Sequence, residues 1–328
     1  VDCRKQVLAG LDPIEERGQQ KRVQLLKQAH SITFREAADY CIAAKRPEWK
    51  NKKHAQQWSN SLATYAYPMF GDLSISELDT DLVLKVLEPI WVSKAETASR
   101  LRQRIETIWD WARARKYVEG ENPARLRGHL DKILAKTAKV KRVRHHPALP
   151  YKEIQKFITA LHKRSGSSAL ALEFMIITAG RTGEVIGAKW SEIDLGTDVW
   201  TVPADRMKAG REHRVPLCAR ALAILGSIKS NCNPDEFVFP GWKAGTGLSN
   251  GAMLALMRKM QFGHFTPHGF RSTFRDWAAE EAHSFQNETI ELALAHTIKN
   301  QAEAAYRRGD QLERRRELMK AWNQHIDI

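Results

Sequence analysis

"KWSEIDLGTDVWTVPADRMKAGREHRVPL" (residues 189–217) is the β-rich stretch of a chain that otherwise reads as helix. Three runs within it, 189–195, 198–203 and 212–217, alternate apolar and polar residues over strand lengths. They predict a three-stranded antiparallel sheet, with Lys208 on a tight Ala-Gly turn between the second and third strands. Helical patterns flank the stretch on both sides. "YKEIQKFITALHKR" (151–164) and "SSALALEFMIITA" (167–179) precede it. Residues 218–229, 248–260, 268–282, 287–295, 299–308 and 311–323 follow with helical spacing. The fold class is therefore mainly α with a small antiparallel β-sheet.

The N-terminal half has no strand pattern. A helix opens near Thr33, with Phe34, Ala37, Ala38 and Cys41 at helical spacing. A second spans 51–71, carries Trp58, Leu62 and Tyr65 on one face, and is expected to end at Pro68. A third, 79–91, is expected to stop at Pro89. A long fourth, 93–118, has a core face of Leu101, Ile105, Ile108 and Ala112. Thr97, Arg100 and Arg104 recur on a neighbouring face expected to be wetter. Four helices in this span make a small helical domain.

At 328 residues the chain is too long for one helical core. Its net charge of +14 favours a polyanionic partner, because Lys and Arg release condensed counterions from nucleic acid. Residues 101–150 hold 13 Lys/Arg against 5 Asp/Glu. Within them "KILAKTAKVKRVRHHPALP" (132–150) has eight Lys, Arg or His and no carboxylate. It reads as a basic strap between two folded halves. The apolar runs are short, so no membrane span is expected. The opening "VDCRKQVLAG" has no long apolar core of the secretory kind. Cys3, Cys41, Cys218 and Cys232 are scattered and read as reduced thiols of a cytosolic protein.

The chain lacks a phosphate-binding G-x-x-x-x-G-K-[ST] loop and an H-E-x-x-H pair. His264 and His268 are four apart, but Pro267 between them argues against a helical metal site. No metal or other cofactor is expected. What remains is a scattered cationic and nucleophilic set. Arg181 follows an apolar helix at a break marked by Gly180 and Gly183, where burial would require an anionic partner. Glu184, three residues on, can orient its guanidinium. A hairpin tip can deliver the Lys208 ammonium to a site that needs a proton donor. "TPHGFRSTFRDWA" (266–278) starts a helix with His268 and Arg271 on one face. His296 follows, and "EAAYRRGD" (303–310) sets Tyr306 beside Arg307 and Arg308. Singly, these residues have plainer readings: an ion pair, a helix-start patch, a turn lysine, a core tyrosine. As a set they are far more specific.

Their order and spacing resemble the tyrosine recombinases of the lambda-integrase superfamily, whose motif series runs Arg, Lys, His-x-x-Arg, His or Trp, Tyr. "RTGEVIGAKWSEID", "RMKAGREHRVPL", "TPHGFRSTFRDWA" and "EAAYRRGDQLERRRELMKAW" are similar to prophage and genomic-island integrases of the satellite-phage type. So are "WKNKKHAQQWSNSLATYAYP" and "ETASRLRQRIETIWDWARARKYVEGENPA" in the N-terminal half. One departure concerns the first arginine. Many relatives read Thr-Gly-x-Arg, whereas this chain reads Thr178-Ala179-Gly180-Arg181, which is expected to alter the local turn and keep the arginine.

The resemblance implies a residual helix of a truncated arm-binding domain at 1–30 and a helical core-DNA-binding domain at 31–131. A basic linker at 132–147 and a mixed α/β catalytic domain at 148–328 follow. It implies metal- and ATP-independent strand transfer in DNA through a 3′-phosphotyrosine. Tyr306 would be the nucleophile, Arg181 and Arg271 the phosphate clamp, Lys208 the acid for the 5′ oxygen, His268 the base, and His296 a further donor. Lys52, Lys53, His54, Thr97, Arg100, Arg104, Lys139, Lys141 and Arg142 are candidate DNA contacts, with the linker closing a clamp on the duplex. Partners would be double-stranded attachment-site DNA, other copies in a tetrameric synapse and an accessory excision factor, in the bacterial host cytoplasm at the nucleoid. The C-terminal segment, with Leu312, Leu318 and Trp322, would pack on a neighbouring protomer or in cis. A type IB topoisomerase and a catalytically dead DNA-binding regulator are the alternatives.

Overall fold

The computed structural model describes residues 31–49, 53–136, 147–228, 233–296 and 309–326. Chain contacts divide it into two compact units, 1–143 and 144–328, each with its own apolar core.

The first unit is helical among the described residues. Helix α1 (Phe34–Lys45) opens on a capping box: the Glu36 N–H donates to Thr33 Oγ1 at 3.2 Å, and the Thr33 N–H to the Glu36 carboxylate at 2.8 Å. Phe34, Ala37, Ala38 and Cys41 are its buried face. Helix α2 (Lys53–Ser61) runs into a π-helical turn, Leu62–Ala66, and then α3 (Tyr67–Phe70). The chain thus stays helical past Pro68, contrary to expectation. The wider π turn, closed by the Tyr67 N–H on the Leu62 carbonyl, brings the chain to a new helical start at which Pro68 is tolerated. Helix α4 (Thr80–Trp91) likewise runs two residues past Pro89. Burial of Ile90 and Trp91 outweighs the one lost bond near the helix end. Helix α5 (Ala95–Ala114) buries Leu101, Ile105, Ile108 and Ala112 completely, as predicted. Leu134 packs in this core and Trp91 Nε1 donates to the Ala135 carbonyl at 2.8 Å. Residues 132–135 therefore belong to the helical unit rather than to a linker, and 137–146 lie outside the described residues.

The second unit is built around α7, which follows α6 (Ile154–His162). Helix α7 (Ser167–Ile177) buries Ala169 and every residue from Ala171 to Ile177, so it is a central helix rather than an amphipathic one. Its C-terminal end leads into the short α8 (Thr182–Ile186) and then the sheet. Strands β1 (Ile193–Asp194), β2 (Val199–Val202) and β3 (His213–Pro216) form an antiparallel sheet in sequence order. Trp200 pairs with Ile193 and Val215, and its fully buried ring packs 5.4 Å from Phe174 of α7.

The first strand is shorter than its pattern predicts. The Trp190 and Ser191 N–H groups donate to the Glu236 and Pro234 carbonyls, so that stretch takes its partners outside the sheet. The β2–β3 connection is longer than a tight turn. It covers 203–212 and contains successive turns, the last closed by the Gly210 N–H on the Met207 carbonyl at 3.0 Å.

Helices α9 (Ala219–Ile228), α10 (Ala252–Lys259), α11 (Gly269–Glu280), α12 (Asn287–Ala293) and α13 (Leu312–Ile326) complete the described part. Helix α13 packs in cis. Leu318, Met319 and Trp322 are buried in this unit's own core, and Trp322 Nε1 donates to the Ile176 carbonyl of α7 at 2.9 Å. The expectation of a neighbouring protomer as its partner gives way to this contact.

Candidate active site

Two helix ends meet around two arginines. Helix α7 closes with the Gly180 N–H on the Met175 carbonyl (3.1 Å) and the Ala179 N–H on that of Ile176 (3.2 Å). Helix α12 closes the same way, through His296 on Glu291 and Ala295 on Leu292, both at 3.0 Å. This cap needs a left-handed residue, and alanine fills both positions: Ala179 at φ 50° and Ala295 at φ 48°. The displaced glycine has a different use. A Cβ at Gly180 would stand 3.1 Å from Val185 Cγ2 and 3.2 Å from Thr178 Oγ1. Ala179→Gly is expected to raise stability by about 1 kcal/mol, since glycine carries no left-handed penalty. A rise in the denaturation midpoint checks this; a fall would show that Ala179 is not strained.

The carbonyls left at these ends carry the negative pole of each helix. Arg271, only 6% exposed on α11, donates to the carbonyls of Ala179 and Leu294, one from each end. Arg181 donates to Ala295 O at 2.9 Å, to Leu294 O at 3.3 Å and to the Glu184 carboxylate at 2.7 Å. Glu184 also accepts from the Arg181 backbone N–H at 2.9 Å, closing α8's first turn. A buried guanidinium is costly without partners, and these acceptors supply them. Burial, and then Arg181, lower the Arg271 pKa to about 10, so it stays charged at neutral pH. The Arg181 side chain keeps 23% of its surface open, which leaves the pair reachable by an anion.

His296 joins the pair. Its Nε2 lies 3.4 Å from Arg271 Nη2, and its Nδ1 lies 2.6 Å from Glu291 Oε2. Arg275, one turn after Arg271, donates to the other Glu291 oxygen at 2.7 Å. Burial pushes the Glu291 carboxyl up, but hydrogen bonds from His296 and Arg275 outweigh it and hold the group below its ordinary value. With Nδ1–H directed at this carboxylate, Nε2 is the nitrogen turned toward Arg271.

His268 occupies the N-cap position of α11, exposed, three residues before Arg271. Lys208 is exposed in the β2–β3 connection. Tyr306 lies outside the described residues, as do Lys52, Lys139, Lys141 and Arg142, and of Lys53 only the backbone is described. In the helical unit, His54, Trp58, Arg100, Gln103 and Arg104 line a hollow of about 700 Å³. Arg100 is exposed and paired with Glu96, His54 is exposed, and Thr97 is half-buried. Arg104 is not on a wet face. It is 8% exposed, lies over the Trp58 ring, and donates to Gln57 O and Ser61 Oγ. Arg104 thus braces α5 against α2, while Arg100 and His54 are exposed among the described side chains.

His213 was not among the sequence candidates. It sits on β3 opposite Val202, half-buried. Burial, together with the charges of Arg315, Arg181 and Arg271 against that of Glu184, lowers its pKa to about 4. It is a neutral imidazole beside the arginine pair. Behind it, Arg315 is 1% exposed and donates to Arg214 O and to Asp310, whose carboxylate also accepts from Arg214. Among the described residues no three His, Cys, Asp or Glu side chains group as metal ligands, and no helix is long and apolar enough to cross a membrane.

Residues 34–129 match the phage integrase central domain and residues 147–312 match the phage integrase family. The chain belongs to the phage integrase family. It is a tyrosine-type site-specific recombinase of the lambda-integrase superfamily. It is similar to two prophage integrases of Escherichia coli K12. IntZ is 31% identical over 330 residues, covering 100% of this chain and 79% of the relative. IntA is 30% identical over 317 residues, covering 95% and 74%. The integrase of Enterobacteria phage P4 is 28% identical over 353 residues, covering 100% and 76%. Among solved structures, a lambda integrase tetramer bound to a Holliday junction aligns with TM-score 0.63 at 17% identity, over 83% of this chain and 80% of that one. A lambda integrase dimer bound to a COC′ core site aligns with TM-score 0.63 at 18% identity, over 89% and 81%. At these identities the likeness concerns the fold, mostly helical with one small three-stranded sheet. The central-domain match favours an integrase over both a topoisomerase and an inactive regulator.

Proposed function

We propose that the chain integrates or excises a mobile element by cleaving attachment-site DNA through Tyr306. The phenol oxygen attacks the scissile phosphorus and forms a 3′-phosphotyrosine, while the bond from phosphorus to the 5′ oxygen breaks. His268 takes the phenol proton and Lys208 supplies one to the departing 5′ oxygen. Arg181 and Arg271 hold the nonbridging oxygens, with His296 Nε2 as a third donor when protonated. The covalent link conserves the bond energy, so a 5′ hydroxyl of a second duplex can resolve it without ATP or a metal ion.

The observation that carries this reading is the convergence of Arg181 and Arg271 on the Leu294 carbonyl, with His296 beside Arg271. Two guanidiniums on carbonyl ends provide the fixed positive charge that a phosphoryl transition state needs. Both units engage the duplex, with the basic segment between them in the chain; the lambda integrase dimer bound to a COC′ core site and the tetramer bound to a Holliday junction support DNA as substrate and a tetrameric synapse. An accessory factor for excision and a place in the bacterial host cytoplasm belong to the same reading.

A nicked half-site carrying the attachment core tests it. The native chain is expected to form an adduct resistant to SDS and to EDTA, and Tyr306→Phe to form none. An adduct from the Phe variant, or its loss on chelation, would contradict the reading.

A further inference from the structure

The loop that carries Lys208 is tied to the helix that carries Arg181, and the tie is Arg206. The β2–β3 connection is otherwise held by local turns and by Met207, 6% exposed. Two residues before Lys208, the Arg206 guanidinium leaves the loop and crosses to α8. Its Nη2 donates to the Glu184 carbonyl, with the Gly183 carbonyl 3.5 Å away. Its Nη1 donates to the Glu192 carboxylate, whose side chain is 7% exposed. The second Glu192 oxygen accepts from Trp200 Nε1 at 3.0 Å, which fixes that carboxylate to β2. Glu184 is the residue whose own carboxylate holds Arg181. The backbone of Gly187 leaves room for the crossing: a Cβ there would stand 2.7 Å from Arg206 Nη2.

We propose that Arg206 is a positioning residue for leaving-group protonation, setting the Lys208 loop in register with the Arg181 clamp. An exposed lysine on a long loop samples many positions, and proton transfer needs the ammonium within hydrogen-bond reach of the 5′ oxygen. Arg206 removes much of that freedom through contacts within the protein. Lysine in its place offers a single nitrogen, so it would not reach both acceptors as the two guanidinium nitrogens do. The inference rests on the role given to Lys208 above.

A sulfur substitution separates positioning from general damage. When the bridging 5′ oxygen of the scissile phosphate is sulfur, the thiolate departs without a proton. On the ordinary oxygen substrate, Arg206→Ala is expected to slow adduct formation about 100-fold, in the range of a lost general acid. On the sulfur substrate the deficit is expected to fall to within about threefold of the native chain, as for Lys208→Ala. DNA affinity should not change. Gly187→Ala, which displaces the guanidinium but keeps it, is expected to give a weaker version of the pattern, and it serves if Arg206→Ala does not fold. Equal slowing on both substrates, or none on either, overturns the proposal. Sulfur rescue of Lys208→Ala without rescue of Arg206→Ala overturns the positioning role alone. Absence of rescue for both overturns it together with the assignment of Lys208.

Discussion

Replacing Arg271 with alanine is expected to slow adduct formation by about 1,000-fold or more and to lower stability by about 2–4 kcal/mol. Both effects have one source. The guanidinium is buried and bridges the ends of two helices, through Ala179 O and Leu294 O. Its removal takes the side-chain donor from the buried Ala179 carbonyl and leaves Leu294 O with only the 3.3 Å bond from Arg181, and a buried acceptor without its donor costs about 1–3 kcal/mol. It also removes half of the charge proposed to meet the nonbridging oxygens. Arg271→Lys keeps the charge but cannot serve both carbonyls, so about 100-fold slowing is expected even there. Single-turnover adduct formation and chemical denaturation of the same preparations measure the two effects. Adduct formation by Arg271→Ala within tenfold of the native rate would remove this residue from the clamp.

The second large effect is in pH dependence. His213 has a folded-state pKa of about 4 against an ordinary 6.5, lowered by burial first and then by Arg315. Arg181 and Arg271 push in the same direction, and Glu184 opposes them. Above pH 6.5 the imidazole is neutral in both folded and unfolded chains, and the fold has its full stability. Between 6.5 and 4 the unfolded chain binds a proton that the folded chain refuses. Stability therefore falls as the pH falls, by about 2 kcal/mol at pH 5 and about 3 kcal/mol at pH 4. His213→Gln removes this contribution. Its loss of stability from pH 7.5 to pH 5 should be smaller than the native chain's by about 2 kcal/mol. Parallel losses in the two proteins would place His213 in a wetter setting than the structure gives it.

What the sequence discloses about this fold follows from the range of the forces involved. The face of α5 was legible because Leu101, Ile105, Ile108 and Ala112 repeat at the helical period. The stops at Pro68 and Pro89 were overread. A proline's local penalty is visible in sequence, but the burial of Phe70, Ile90 and Trp91 that outweighs it is not. The order of Arg181, His268, Arg271 and His296 is a linear signal, and the structure brings Arg181 and Arg271 to one shared carbonyl, with His296 beside Arg271.

Their supports have no such signal. Arg206 reaches Glu192 across 14 positions, Arg275 reaches Glu291 across 16, and Arg315 reaches Arg214 across 101. Arg104 was misread for the same reason. The Trp58 ring and Ser61 hydroxyl that absorb it belong to another helical segment.

One tyrosine, Tyr306, is proposed to become covalently joined to DNA. Mass spectrometry of the trapped adduct tests it most directly. After nuclease and protease digestion, the account predicts a peptide containing Tyr306 that carries a 3′-linked nucleotide, with a free 5′ hydroxyl on the released strand. A nucleotide on any other residue, or a 5′-linked one on Tyr306, would contradict it.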